Sequence, residues 1–304
     1  MLDPESLFEQ LGGSENAGFM NIHTPVQQTP AGTSYLTRPG VVVLARPQTN
    51  LAGLAGFLSG YGAGSPFPEY LDDPTRLPES AQLCKVAGQL CYMSFGHKRS
   101  YNVDAERYFT NLKSSGHGSV FEHANFSLLL YGISRSVTHE LVRHRAGFAY
   151  SQQSQRYVSG RMLRFVERPE YAFDEALHTQ FLQRIDRAAT EYAAITERIL
   201  EMQQAGTQLL SADERTDLRK KVQQTARSVL PNETEAPIVV TGNVRAWRHV
   251  ISMRASAHAE TEIRELAVRV FLCLYLTDPI LFSDYTLEKL PDGTFTVRTE
   301  FEKI

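Results

Sequence analysis

The residues with the clearest chemical potential lie between Arg143 and Tyr157, where the chain reads R-H-R-A-G-F-A-Y-S-Q-Q-S-Q-R-Y. From Gly132 to Arg164 there are six arginines, no lysine and one acid, Glu140. Two like unit charges about 4 Å apart repel by about 4 kcal/mol at an effective dielectric of 20, so arginines that converge need an anion among them. Arginine in place of lysine favours planar, bidentate partners such as phosphates. Complementing a helix dipole would account for Arg143 to Arg145 alone. It does not account for Ser154 and Arg156 following at this spacing.

Two other stretches place polar groups where a ligand could approach. In Ser115–His123 the glycines Gly116 and Gly118 flank His117, permitting unusual backbone angles and close approach. His117, Glu122, His123, His139 and His144 could in principle ligate a metal. They show neither the His-Glu-x-x-His spacing nor its inverted form, so no metal site is expected. His123 and His139 read as hydrogen-bonded structural histidines. The third stretch runs from Thr241 to Glu262: Asn243 suits a helix N-cap, and Arg245, Trp247, Arg248 and His249 follow on the helix. Taken alone it is a basic helix with a buried tryptophan.

The apolar periodicity of Ile133, Val137 and Leu141 predicts a helix closing near Gly147, then a short turn and the polar run Ser151–Gln155. Glu140 lies three and four residues before Arg143 and His144, on their side of that helix. Upstream, Val41–Leu44 and Phe126–Ile133 read as strands. Helices are expected from Leu51, over 80–90 and over 105–112, with a Gly- and Pro-containing loop at 60–78. Downstream, Phe181, Ile185, Ala188 and Tyr192 mark a long amphipathic helix over 173–202. Ser211-Ala212-Asp213-Glu214 fits a capping box for a helix ending before Pro231. Pro237–Val240 reads as a strand, 261–276 as a helix, and Phe295–Val297 as part of a hairpin. Residues 1–39, polar and rich in Gly, Pro, Gln and Thr, read as a mobile or loosely docked arm.

The whole chain bounds the class of function. Its 304 residues suffice for a large core, and 31 basic against 34 acidic residues give a net charge of −3. A nucleic-acid binder working through phosphates would need a basic surface, so the arginines form a local site. Three cysteines at no ligand spacing, no signal pattern and no membrane-length apolar run suit a cytoplasmic protein that neither spans a membrane nor binds nucleic acid.

Arg143-His144-Arg145, eight residues, then Ser154-Gln155-Arg156 resembles the signature of the flavin-dependent thymidylate synthases, the ThyX family. The Gly116–His123 stretch is similar to the segment preceding that family's signature helix. Asn243-x-Arg245 followed by Arg254-Ala-x-x-His258-Ala-x-x-Glu262-Ile263 is similar to a third block. The resemblance runs with gaps from Val41 to Phe282, with residues 60–80 as an insertion. It implies an α+β fold, a helical bundle packed with an antiparallel sheet and no Rossmann unit, consistent with the lack of a Gly-x-Gly-x-x-Gly turn. It divides the chain into an arm at 1–39, the family domain at 40–283 and an extension at 284–304.

The function implied is reductive methylation of dUMP to dTMP with FAD, NADPH and methylenetetrahydrofolate, needing no protein thiol. The resemblance places His117, Ser119, Arg143, His144, Arg145, Asn243, Arg245 and His249 at the flavin. It places Glu140, Arg143, Gln152, Gln153, Ser154, Gln155, Arg156, Arg227 and Arg254 at dUMP, Arg227 because Arg227-Ser228-Val229-Leu230-Pro231 matches an arginine preceding a Leu-Pro pair. Arg254 is the implied catalytic residue, stabilising the anion that forms as the uracil N3 proton is withdrawn. The family is homotetrameric, with sites shared between subunits. Two other classes compete: a metal-dependent nucleotide hydrolase built on His117 to His144, and a non-enzymatic nucleotide- or RNA-binding module. Both leave Asn243 to Glu262 unexplained.

Overall fold

The computed structural model describes residues 2–62, 64–157, 162–205 and 215–304. Six strands form the main sheet: β1 (Gly13–Asn16), β2 (Phe19–Ile22), β5 (Gly40–Ala45), β6 (Asn125–Tyr131), β7 (Phe148–Gln152) and β9 (Ile238–Asn243). Their order is β1-β2-β5-β6-β9-β7, with every neighbouring pair antiparallel. A smaller sheet joins β3 (Gln27–Gln28), β4 (Ser34–Leu36) and β8 (Arg164–Val166). The hairpin expected near residue 295 is β10 (Tyr285–Lys289) paired with β11 (Phe295–Thr299).

The helices are α1 (Pro4–Gln10), α2 (Ala55–Ser59), α3 (Glu79–Cys91), α4 (Ala105–Ser114), α5 (Arg135–Leu141), α6 (Glu175–Gln204), α7 (Arg215–Ala226), α8 (Val244–Arg254), α9 (Thr261–Thr277) and α10 (Pro279–Phe282). None is long and apolar enough to cross a membrane. The architecture is α+β, helices packed with an antiparallel sheet, as the resemblance implied.

Alternation along β6 and β9 explains the layering. Phe126, Leu128 and Leu130 on β6, with Ile238 and Val240 on β9, turn one face of the sheet inward and are buried. Onto that face pack Trp247 of α8 and the apolar length of α9, including Leu266, Val270, Phe271 and Leu274. Burying a side chain of this size stabilises by about 1.5–3 kcal/mol, so these positions fix α8 relative to β6 and β9. A second core of Tyr35, Phe165, Phe181, Ile185 and Ala188 seats α6 on the small sheet.

Three expectations need correction. The segment 1–39 is docked: Leu7 and Phe8 of α1 are buried in the main core, and β1 and β2 extend the main sheet. Its polar composition concealed how few apolar residues anchor a short helix and a hairpin. The helix before Arg143 ends at Leu141, so Arg143, His144 and Arg145 lie on the turn that follows it. Beyond Gly147, whose φ is +77°, the chain forms β7 where a turn and a polar run were expected. Phe148 and Tyr150 alternate with small residues there, a short period-2 signal. The Ser211–Glu214 capping box lies outside the described residues; α7 begins at Arg215.

Candidate active site

Arg254 is the last residue of α8, and Glu140 sits in the final turn of α5. Arg254 Nη1 donates to Glu140 Oε2 at 2.8 Å, and Nε donates to His144 Nε2 at 3.0 Å. Arginine carries no acceptor, so His144 Nε2 must be unprotonated and its proton must lie on Nδ1. The environment agrees: burial first, then the neighbouring Arg254 and His249, push the imidazole down from 6.5 to about 4. The Tyr150 hydroxyl lies within hydrogen-bond range of the Leu141 and His144 carbonyls and pins the turn that presents His144.

Arg254, Glu140 and Arg143 line a cavity of about 510 Å³ together with Arg135, His139 and Asn232. Arg135 and Asn232 were not assigned from sequence, and His139, expected as a hydrogen-bonded structural histidine, is instead exposed on this cavity. Arg135 stands within the run of six arginines, and its place just after a strand and an N-capping Ser134 was the available signal.

A second cleft, of about 330 Å³, opens beside Asn243, Arg245, His249 and Gly147. Asn243 caps α8 as its sequence position predicted, Oδ1 accepting from Ala246 N at 2.8 Å. A Cβ on Gly147 would lie 2.7 Å from Asn243 Nδ2 and 2.9 Å from Ala246 Cβ, so backbone and cap approach as only glycine allows. The His249 ring stands 5.6 Å from that of His144, edge to face. The pair therefore joins the Arg254 cavity to the Asn243 cleft.

Arg245 turns from this cleft to a third, of about 380 Å³, lined by His117, Gly118, Ser119 and Tyr108. Its guanidinium lies over Gly118, where a Cβ would come within 2.8 Å of Nε, and Nη1 donates to Glu122 Oε1 at 2.6 Å. Sequence alone marks Glu122 only as a potential metal ligand. Among the described residues no three of His, Cys, Asp and Glu gather as a metal site would require.

The remaining residues divide. Arg145 is exposed on the turn after α5. Gln152 Nε2 donates to Thr138 Oγ1 at 3.3 Å, and Gln153 with Gln155 lines a small cleft beside Arg164. Ser154 Oγ accepts from Arg156 N at 3.3 Å. Arg156 faces α7: with the Gln224 amide oxygen turned toward it, Nε and Nη2 donate at 2.8 and 3.3 Å. Its guanidinium and Lys220 Nζ both lie over the Tyr157 ring, at 5.4 and 5.0 Å. Arg227 lies on the turn of 3-10 helix that closes α7. Arg254, Arg143 and Arg135 thus gather about α5 and α8, Arg156, Lys220 and Arg227 lie on or beside α7, and Arg245 stands apart at the third cleft.

A flavin needs donors for its ring edges, a cation for its phosphates and close backbone approach. The adjoining clefts offer Asn243, His249, Arg245, Gly118 and Gly147, and the donor set fits. Cys84 and Cys273 are buried, and burial pushes the Cys84 thiol up to about 12, so neither supplies a thiolate.

The α+β frame thus gathers arginine, histidine and asparagine side chains into polar clefts. Comparison with known proteins names the family. The profile of the thymidylate synthase complementing protein family, Thy1, matches residues 74–280, and the chain belongs to that family. It is 42% identical over 228 residues to the flavin-dependent thymidylate synthase of Mycolicibacterium gilvum, covering 75% of this chain and 88% of the relative. It is 41% identical over 214 residues to the Mycobacterium tuberculosis protein of the same name, covering 70% and 82%. The fold is similar to that of a UMP/dUMP methylase, PolB, from Streptomyces cacaoi, solved with 5-Br dUMP. The TM-score is 0.53 at 18% identity, over 81% of this chain and 94% of that one.

Proposed function

We propose that this protein is a flavin-dependent thymidylate synthase that methylates dUMP to dTMP with FAD, NADPH and methylenetetrahydrofolate. The observation that carries the reading is Arg254 held between Glu140 and a neutral His144, one ring away from the Asn243–His249 cleft. Family membership, and the name shared by its curated relatives, support it.

Methylation at C5 of uracil requires electron density there, which grows as the N3 proton leaves. Arg254, fixed by two contacts, would donate to the N3–C2=O edge and stabilise the developing anion, a charge-assisted contact of about 1.5–3 kcal/mol. Glu140 orients the guanidinium and takes part in holding the base. His144, neutral, accepts from Arg254 without adding a competing positive charge. Arg143 lines the same cavity. Asn243, Arg245, His249, His117 and Ser119 would hold FAD, with Arg145 beside them. Bound and reduced, the flavin supplies the hydride that takes the transferred carbon to a methyl group, and no protein thiol is used.

Arg156, Ser154, Gln152, Gln153, Gln155 and Arg227 are assigned to the dUMP phosphate and sugar. With Arg156 turned to α7, these residues would complete a site in a homotetramer whose subunits share active sites. The setting proposed is the cytoplasm.

The test is a visible absorption spectrum of the purified protein, before and after anaerobic addition of NADPH, with and without dUMP. Flavin bands that bleach faster with dUMP support the reading. A protein that remains colourless after incubation with FAD removes it.

A further inference from the structure

The segment that carries the α5 residues of the Arg254 cavity is anchored by two buried carboxylates. Strand β6 ends at Tyr131 and α5 begins at Arg135, leaving three residues between them. Over that span Gly132 N donates to Glu235 Oε1 at 2.7 Å, and Ser134 N donates to Glu262 Oε1 at 2.7 Å. Ser134 Oγ donates to Glu262 Oε2 at 2.8 Å and accepts from Val137 N at 3.3 Å, capping α5. Each acid is met by an arginine from the β8 region. Arg164 reaches Glu235 with Nε at 2.5 Å and Nη2 at 3.0 Å, and Arg168 Nη1 reaches Glu262 Oε2 at 3.1 Å.

Glu262 lies on the first turn of α9 at 1% exposure, and burial pushes its carboxyl up to about 7. An ionised carboxylate buried this deeply is strongly unfavourable unless paired, and an apolar residue of similar volume often serves packing as well. What Glu262 adds is geometric. Its two oxygens fix both the backbone and the hydroxyl of the residue that caps α5. That helix is seven residues long; Val137 and Leu141 seat it in the core, while Arg135, His139 and Glu140 project from it to the cavity. Arg135 N is held in turn by the Asn232 and Thr234 carbonyls, both at 3.0 Å.

We propose that Glu262 is a positioning residue for the nucleotide: through Ser134 it sets where α5 places Arg135, His139 and Glu140 along the Arg254 cavity. This rests on the reading of that cavity as the dUMP site.

The test compares wild type, Glu262→Gln, Ser134→Ala and the double variant. For each, dUMP affinity, KM and kcat, flavin affinity and the unfolding midpoint are measured. The amide in Glu262→Gln can no longer accept from Ser134 N at one atom while accepting from Ser134 Oγ and Arg168 Nη1 at the other, so dUMP Kd and KM rise tenfold or more. Flavin affinity stays within about twofold, and kcat, which depends on Glu140 through Arg254, falls by less than KM rises. Ser134→Ala raises Kd about threefold, and the two losses add less than fully in the double variant, because the hydroxyl acts in part through the carboxylate and in part as the α5 cap. A lowered unfolding midpoint with unchanged dUMP affinity in both single variants would overturn the proposal. Should Glu262→Gln not fold, unchanged dUMP affinity in Ser134→Ala overturns it. Wild-type protein that takes up flavin yet fails to bind dUMP removes the reading of the cavity, and the proposal with it.

Discussion

Arg254 Nε donates to His144 Nε2 at 3.0 Å, and that single contact fixes the charge state of the histidine. A protonated imidazole would present a donor to a donor beside a permanent positive charge. The pair therefore functions as one cation, pointed by Glu140 from one side and by His144 from the other.

Replacing that cation tests the assignment directly. Arg254→Ala should lower kcat by about 10²–10³-fold, the range for loss of one preorganised donor to a developing anion. Flavin content, read from the visible spectrum, should change by less than about twofold, since the cofactor candidates Asn243 and Arg245 lie elsewhere on α8 and before it. Wild-type-like turnover would remove Arg254 from the mechanism.

The depressed His144 has a thermodynamic signature. Its folded-state value, about 4 against an ordinary 6.5, means that the unfolded chain takes up a proton first as pH falls. Its contribution to stability is complete above pH 6.5 and is lost between 6.5 and about 4. Solvent screening of the half-buried ring reduces it to about 1 kcal/mol. Glu262 and Asp278, both pushed up to about 7 by burial, act in the opposite sense over this range. The His144 contribution is thus the difference between the wild-type and His144→Gln unfolding midpoints, which should narrow as pH drops from 6.5 toward 4. A constant difference would contradict a neutral His144.

Gly118→Ala should separate cofactor binding from stability. The new methyl group would lie 2.8 Å from Arg245 Nε, and the exposed guanidinium can move aside at little cost. Gly118 is buried, but its new methyl group meets only the movable guanidinium, so stability should fall by no more than about 1 kcal/mol. Flavin affinity, titrated by fluorescence, should fall about tenfold. No loss of affinity would place Arg245 outside the flavin site.

Phe8→Ala probes the N-terminal segment. Phe8 is 5% exposed in the main core, and its ring leaves no space for a Cβ on Gly13. Truncation should cost about 3–5 kcal/mol in denaturant unfolding. A loosely docked arm would show almost no change.

Much of the chemistry was legible in residue types and spacing. The arginine bias from Gly132 to Arg164, the glycines around His117 and the Asn243–Arg254 helix all mark places where the folded chain has clefts. Local signals sufficed there, because an N-cap, an amphipathic stripe or a glycine pair acts over a few residues. The helix from Glu175, the strand at Val41 and the hairpin near Phe295 were likewise written in short-range periodicity.

What the tertiary structure decided was which of these groups meet. Pairing Arg254 with Glu140 spans 114 residues, and Glu262 with Ser134 spans 128; no local pattern encodes such partners. The neutrality of His144 arises only when α8 brings Arg254 and His249 against the turn after α5. The turn of Arg156 toward α7, away from its sequence neighbours in the arginine run, is likewise a consequence of packing. The docking of residues 4–36 followed from a few apolar side chains that composition averaged away. Sequence specified the donors and acceptors; burial against distant elements chose their partners and their charge.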